Sequence, residues 1–127
     1  MDDRVLAIVE RGYRGALEKQ FFDELYLATE LHRQLGGLDI LLRGSAVSYA
    51  VDAGPVPALR IGNRTVETLS DPREGLRTLL GVGVRVWVEE PDIEALGSAH
   101  PLIEGIGLTR PGETAERWTD YRMVLFL

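Results

Sequence analysis

The fold is decided by residues 4–43, which read RVLAIVERGYRGALEKQFFDELYLATELHRQLGGLDILLR. The opening run, Arg4–Val9, is apolar and rich in β-branched residues, as expected for a strand that is buried on both faces. A long amphipathic helix follows, and Gly36-Gly37 ends it because glycine accepts a left-handed conformation. Leu38–Arg43 is a second apolar run. A strand, a helix and a strand in this order predict a right-handed crossover between parallel strands.

The helix is predicted from apolar residues that recur at steps of three and four, with charged residues on the other side. This apolar stripe consists of Leu17, Phe21, Leu25, Ala28, Leu31 and Leu35. Phe22 and Tyr26 widen the stripe, and we interpret them either as core residues or as an oligomer contact.

The rest of the chain continues the alternation of strands and helices. Helices are predicted over Ala46–Ala53, from Asp71-Pro72 to about Gly81, over Asp92–Leu96 and over Glu113–Thr119. Further strands are predicted over Gly83–Val88, Glu104–Thr109 and Arg122–Leu127. This order predicts an α/β fold of three layers, α/β/α, with a mainly parallel five-stranded sheet in the middle.

Two parts of the pattern leave alternatives open. Ala58–Ile61 and Arg64–Leu69 flank the dipeptide Gly62-Asn63, which indicates a small hairpin insertion at residues 58–69 or else an irregular loop. The apolar final strand fits an open edge of the sheet, where a partner subunit would cover it, and fits an interior position equally well. Because no linker or repeat is visible, residues 1–127 are predicted to form a single domain.

Composition excludes several classes of function. The sequence has 14 basic and 20 acidic residues, a net charge of −6, which disfavours binding to nucleic acid or to an anionic membrane. It has no cysteine and only two histidines, so we expect no disulfide, no metal site, no cofactor and no cysteine nucleophile. No apolar run approaches the ~20 residues that span a bilayer. The start, MDDRVLAIVE, lacks the basic segment of a secretion signal, so we expect a cytoplasmic protein.

The candidate binding residues follow the predicted strands, because ligands of open α/β sheets bind beyond the carboxyl ends of the strands. These residues are Arg11, Tyr13, Arg14, Arg43, Ser45, Glu89 and Glu90. Backbone N–H groups of Gly12–Gly15, together with Arg11 and Arg14, are suited to an anion. The segment contains neither a Walker A motif nor a G-x-G-x-x-G motif, and a plain turn with solvated arginines is the alternative.

Ser45 and the adjacent glutamates also have structural interpretations. Ser45 lies outside any G-x-S-x-G motif, so we interpret it as a helix N-cap rather than a nucleophile. Glu89 and Glu90 are suited to act as acid, base or cation ligand. Neighbouring residues on a strand point to opposite sides, however, and a charged helix start is the favoured interpretation.

The histidines and tryptophans are interpreted structurally as well. His32 is predicted to be a partly buried packing residue and His100 an exposed loop residue. Trp87 and Trp118 are predicted to be core aromatics.

Three segments carry a resemblance to a known family. They are LLRGSAVSYAV, a strand that runs into a short helix; VRVWVEEPDIEALG, a strand followed by a turn, a short helix and Gly; and the closing ERWTDYRMVLFL. In this order they resemble the DsrE/DsrF/TusC-like sulfur-relay family over nearly the whole chain. The resemblance implies an α/β/α fold, assembly into homo- or hetero-oligomers, and sulfur transfer between partner proteins by a cysteine persulfide just after the third strand.

The chain departs from that family where the cysteine would stand, because the sequence there is Val88-Glu89-Glu90-Pro91. Without a thiolate, persulfide transfer is impossible on this sequence. We therefore expect a non-catalytic subunit that forms a dimer, a trimer or a hetero-oligomer with related subunits, or that docks a sulfur-carrier protein. The alternative is a module that binds a small anion or nucleotide at the rim loops. An enzyme that uses Glu89 or Glu90 as general base has the least support.

Overall fold

A computed structural model describes residues 4–11, 24–53, 59–66 and 72–127. The strands are β1 (Val5–Val9), β2 (Leu38–Leu42), β3 (Leu59–Ile61), β4 (Arg64–Val66), β5 (Arg85–Glu89), β6 (Gly107–Thr109) and β7 (Met123–Phe126). The helices are α1 (Glu24–Leu35), a 3-10 helix (Gly44–Ala50), α2 (Pro72–Gly81), α3 (Glu90–Leu96) and α4 (Pro111–Trp118). The predicted helix upstream of Glu24 lies outside the described residues.

The main sheet has five strands in the order β6-β5-β2-β1-β7, and all neighbouring strands are parallel. The predicted α/β fold class with a parallel five-stranded sheet is therefore confirmed. The final strand was predicted to lie either at an edge or in the interior of the sheet. It lies at an edge, because β7 pairs with β1 alone in this sheet. The carboxyl ends of the parallel strands meet along one border of the sheet.

One face of the sheet carries most of the apolar core. Alternate residues of β1 and β2 point to it, and all are fully buried: Val5, Ala7, Val9, Leu38, Ile40 and Leu42. They pack with buried residues of α1, α2 and the 3-10 helix, among them Leu25, Ala28, Leu76, Leu79 and Val47. Both faces of β1 and β2 are thus buried, as their continuous apolar sequences predict.

The opposite face has a smaller apolar cluster. Leu6, Ile8 and Leu41 form its buried part, and Trp87 and Tyr121 pack against it. Helix α4 reaches this face, because the Arg117 guanidinium lies 4.6 Å from the centre of the Trp87 ring. This face, which also carries the polar side chains described below, is called the mixed face.

Several element boundaries differ from the predictions. The segment after β2 is a 3-10 helix over Gly44–Ala50 rather than a helix over Ala46–Ala53, and its N-cap is Arg43 and not Ser45. Strand β6 begins at Gly107 rather than Glu104, because Gly105 adopts φ +96° in a turn before it. Trp118 is 37% exposed and is therefore a surface residue rather than a core aromatic.

The stretch that does not fit the alternation forms an antiparallel hairpin. Strands β3 and β4 pair with each other as a separate two-stranded sheet. Gly62 has φ +59°, the conformation that the first central residue of a type II′ turn requires. Residues 60–65 are all exposed, so the hairpin stands away from the core.

Candidate functional site

The rim at the carboxyl ends of the strands brings oppositely charged side chains together. Glu89, the last residue of β5, is only 6% exposed. Its carboxylate oxygen Oε1 lies 3.7 Å from Nε of Arg43, the residue that follows β2. Two of the predicted site residues, on neighbouring strands, therefore face each other.

Glu89 is held in an environment that disfavours its charge. Burial is the main cause that raises the pKa of the Glu89 carboxyl above its ordinary value. Arg43 opposes that shift, while Asp92 and Glu10 increase it because they place further negative charge nearby. A carboxyl in this setting takes up a proton more readily than an exposed glutamate.

The end of β2 and the start of α3 are joined by a backbone contact. The N–H of Gly44 donates to Oδ2 of Asp92 at 2.9 Å. Gly44 has φ +56°, and a Cβ at this position would lie 2.6 Å from the carbonyl oxygen of Glu10. Glycine is thus required here by conformation and by space, since the end of β1 passes too close for a side chain.

The adjacent glutamates serve different partners. Glu90 is half-buried at the start of α3, and its carboxylate lies 3.9 Å from Nε of Arg110 across the rim. Glu89 instead faces Arg43. The two carboxylates therefore do not form one chelating or catalytic pair.

The remaining predicted ligands are not part of this charged pair. Arg11 and Ser45 are exposed at the rim, while Tyr13 and Arg14 lie outside the described residues. The positive charge that Arg43 would offer to an anion is already partly neutralised by Glu89. Acidic groups at the same border further weaken its attraction for an anion.

The structure also contains a buried charged centre at the amino-terminal end of the sheet, which the sequence analysis missed. Asp39 of β2 is fully buried on the mixed face. Arg85 donates to its Oδ2 at 2.7 Å, Arg4 to its Oδ1 at 2.8 Å, and the Tyr121 hydroxyl to its Oδ2 at 2.7 Å. One signal was available, because Asp39 is the only charged residue within the apolar run of β2.

These contacts determine the ionisation of the centre. Burial alone would raise the pKa of Asp39, but hydrogen bonds from Arg85, Tyr121 and Arg4 outweigh burial, and the pKa lies below its ordinary value. The pKa of Tyr121 is raised, first by burial and then by its hydrogen bond to Asp39. Asp39 is accordingly a carboxylate and Tyr121 a neutral donor at neutral pH.

A small pocket lies beside this centre on the mixed face. Leu6, Leu41 and Trp87 form its apolar wall, and Thr109, Thr114, Arg117 and Tyr121 complete it. The Trp87 ring lies between two guanidinium groups, at 4.6 Å from Arg117 and 5.5 Å from Arg85.

His32 is partly buried, as predicted, and its ring contacts two backbone groups. The N–H of Leu38 donates to His32 Nδ1 at 3.1 Å, and Nε2 lies 3.2 Å from the carbonyl oxygen of Val82. Since Nδ1 accepts from Leu38, Nε2 is the nitrogen suited to donate to the carbonyl of Val82. His32 thereby connects α1 to the start of β2 and to the turn before β5.

Within the described part of the chain, no group of three or more histidine or acidic side chains is placed to hold a metal ion. No helix in the same residues is both long and apolar enough to cross a bilayer.

Comparisons with known proteins extend the description of the fold. No family model matches the sequence, and no curated protein matches it significantly. Among solved structures, the chain is similar to the YchN protein from E. coli, with a TM-score of 0.71 and 22% identity over 100% of both chains. It is also similar to MTH1491 from Methanobacterium thermoautotrophicum, a protein of unknown function, with a TM-score of 0.62 and 17% identity over 96% of this chain and 99% of that one. At these identities the likeness establishes the fold alone, a parallel five-stranded α/β sheet flanked by helices.

Proposed function

We propose that this chain is a non-catalytic subunit that associates with copies of itself, and that any part it has in sulfur relay is to dock other proteins. The position of the family's persulfide cysteine is occupied by Val88-Glu89-Glu90-Pro91, and a carboxylate cannot carry a persulfide. What remains for the molecule is recognition through shape, charge and apolar contact.

The observation that carries this proposal is the apolar surface along β7. Phe126 is 58% exposed and Met123 is 36% exposed on this edge strand. Trp118 of α4 packs edge-on against Phe126, with ring centres 6.3 Å apart and an interplanar angle of 80°. Aromatic and sulfur-containing side chains of this kind are enriched at protein interfaces.

Among the described residues, the outer edge of β7 pairs with no other strand, so its backbone groups can form hydrogen bonds with a second chain. An uncovered edge strand pairs readily with a second chain, and natural proteins protect such edges with charges or prolines. The strand Met123–Phe126 contains neither. A second copy related by a two-fold axis would bring two such edges together and bury both aromatic pairs.

The test is the molar mass in solution, measured by size-exclusion chromatography with light scattering. We expect the unmodified chain to be an oligomer at micromolar concentration, and Phe126→Glu to weaken its self-association at least tenfold, because a charge would be buried at the contact. Val82→Glu is the matched control, since Val82 is similarly exposed, at 53%, in the turn before β5. A monomeric unmodified chain at high micromolar concentration, or equal dissociation by both variants, would contradict the proposal.

A further inference from the structure

The hairpin β3–β4 is an exposed projection in the described part of the chain. Residues 60–65 are all exposed, and Ile61 is 52% exposed. Strands β3 and β4 pair only with each other. A two-stranded hairpin is marginally stable in water unless another surface covers it.

The hairpin also has a distinct charge. Between Leu59 and Val66 it carries Arg60 and Arg64 and no acidic residue. In the antiparallel register Ile61 lies opposite Arg64, so these two side chains share one face. Neither arginine has a side-chain partner among the described residues. The hairpin thus presents an apolar residue beside a cation.

A surface of complementary charge, acidic and partly apolar, lies on the β6 side of the main sheet. Residues 86–109, from β5 through α3 to β6, contain five acidic residues and no lysine or arginine. Glu94 and Glu104 are exposed and have no side-chain partner among the described residues. Leu96 and Leu108 are 43% and 49% exposed on the same stretch. We call this stretch the acidic edge.

We propose that the hairpin of one copy docks on the acidic edge of the next copy. The proposal rests on self-association, as proposed above, and assigns to it a second interface distinct from the β7 edge. Arg64, which shares a face with Ile61, would pair with the exposed glutamates Glu94 and Glu104, and Ile61 would cover exposed leucine side chains of the acidic edge. Charge complementarity of this kind directs the choice and orientation of a partner.

Two further features favour this docking. Strand β6 is the outermost strand on its side of the sheet, so its outer backbone groups can pair with a hairpin strand. The hairpin and the acidic edge are different patches, so their contact is heterologous and generates a closed ring when the rotation between copies permits closure.

The sequence allows a direct test because it contains no cysteine. Ile61→Cys and Leu108→Cys are prepared as separate proteins, mixed, and oxidised with copper phenanthroline, which forms a disulfide only between thiols that approach closely. We expect a disulfide-linked dimer of the two variants. The control pair is Val82→Cys with Leu108→Cys, which should give at least tenfold less product. Equal yields from both pairs would overturn the proposal.

Charge reversal provides an independent measurement in solution. Arg64→Glu and Glu94→Arg/Glu104→Arg should each reduce the crosslinking yield at least fivefold when built into both partners, and all three changes together should restore it. Arg33→Glu on α1, an exposed cation outside both patches, should leave the yield unchanged. Failure of the combined variant to restore the yield would contradict the charge pairing.

The outcomes separate this proposal from the one on which it rests. If light scattering finds an oligomer that Phe126→Glu dissociates while no hairpin crosslink forms, self-association stands and the docking is wrong. If the unmodified chain is a monomer, both fail. Crosslinking that falls as NaCl rises from about 0.05 M to about 1 M supports the ionic contact, since that salt shortens the range of charge interactions severalfold.

Discussion

Asp39 shows how one residue can organise a whole face of a sheet. A buried carboxylate is costly unless charged and hydrogen-bonding groups surround it. Here Arg85, Arg4 and Tyr121 supply those groups at 2.7 to 2.8 Å. Together they connect the start of β1, β2, β5 and the segment before β7, which explains why an acid is tolerated within an apolar strand.

We expect Asp39→Asn to lower the free energy of unfolding at pH 7 by about 3 kcal/mol, because two guanidinium groups would lose their counter-charge. Tyr121→Phe removes a single hydrogen bond to a charged group and should cost about 2 kcal/mol. Urea denaturation followed by circular dichroism measures both. The double variant should lose less free energy of unfolding than the sum of the two single losses. Full additivity would show that Tyr121 does not act through Asp39.

Strand β6 illustrates a constraint between elements. Gly107 pairs with Trp87 in the parallel register of β5 and β6. A Cβ on Gly107 would lie 2.8 Å from Cδ1 of the Trp87 ring, closer than van der Waals contact allows. Glycine weakens a strand because of its conformational freedom. It is nevertheless needed at position 107, because the Trp87 ring of the neighbouring strand leaves no room for a side chain.

Gly107→Ala should displace the Trp87 ring and destabilise the protein by about 1 to 3 kcal/mol, the usual cost of overpacking. In a Trp118→Phe background Trp87 is the one remaining tryptophan, and its fluorescence emission should change. Gly112→Ala is the matched control, because a Cβ there would meet nothing within 4 Å. An unchanged emission spectrum and unchanged stability in Gly107→Ala would contradict this account of the contact.

For the whole molecule, the two buried carboxyls predict a maximum of stability in weakly acidic solution. The pKa of Asp39 is lowered by folding, so its contribution is present above its ordinary value of 3.8 and is lost as pH falls through the lowered folded value. The pKa of Glu89 is raised, so its contribution is present below 4.5 and is lost as pH rises through the raised folded value. The melting temperature should therefore rise as the pH falls from neutrality toward 4.5, and should fall as the pH drops below 3.8.

Glu89→Gln tests the upper part of this profile. The variant should be more stable than the unmodified chain at pH 7 by on the order of 1 kcal/mol, a typical size for one substitution. The difference should shrink toward pH 4, where Glu89 is protonated in the unmodified chain. Glu90→Gln, at a half-buried position facing Arg110, should keep the original profile in differential scanning calorimetry. Stabilisation by both substitutions would show that general charge reduction, rather than the setting of Glu89, is responsible.

The order of strands and helices, the parallel sheet and the absence of a thiol were all predictable from the sequence, because hydrophobic periodicity and residue chemistry are local properties of a chain. The sequence also placed Arg43 and Glu89 at the same border, since parallel strands end together. It did not reveal that Glu89 and Glu90 face different cations, that Ser45 is not the N-cap, or that Trp118 lies at the surface.

The groups that surround each buried charge are brought together by the folding of the whole chain. The partners of Asp39 are 35, 46 and 82 residues away along the chain, and no periodicity in the sequence links them. Their meeting depends on the register between β1, β2 and β5, since a one-residue slip would turn Asp39 to the opposite face of the sheet. The position of β7 at an open edge likewise depends on the folding of the whole chain, because an apolar run is equally compatible with a covered strand and with one that exposes its side chains.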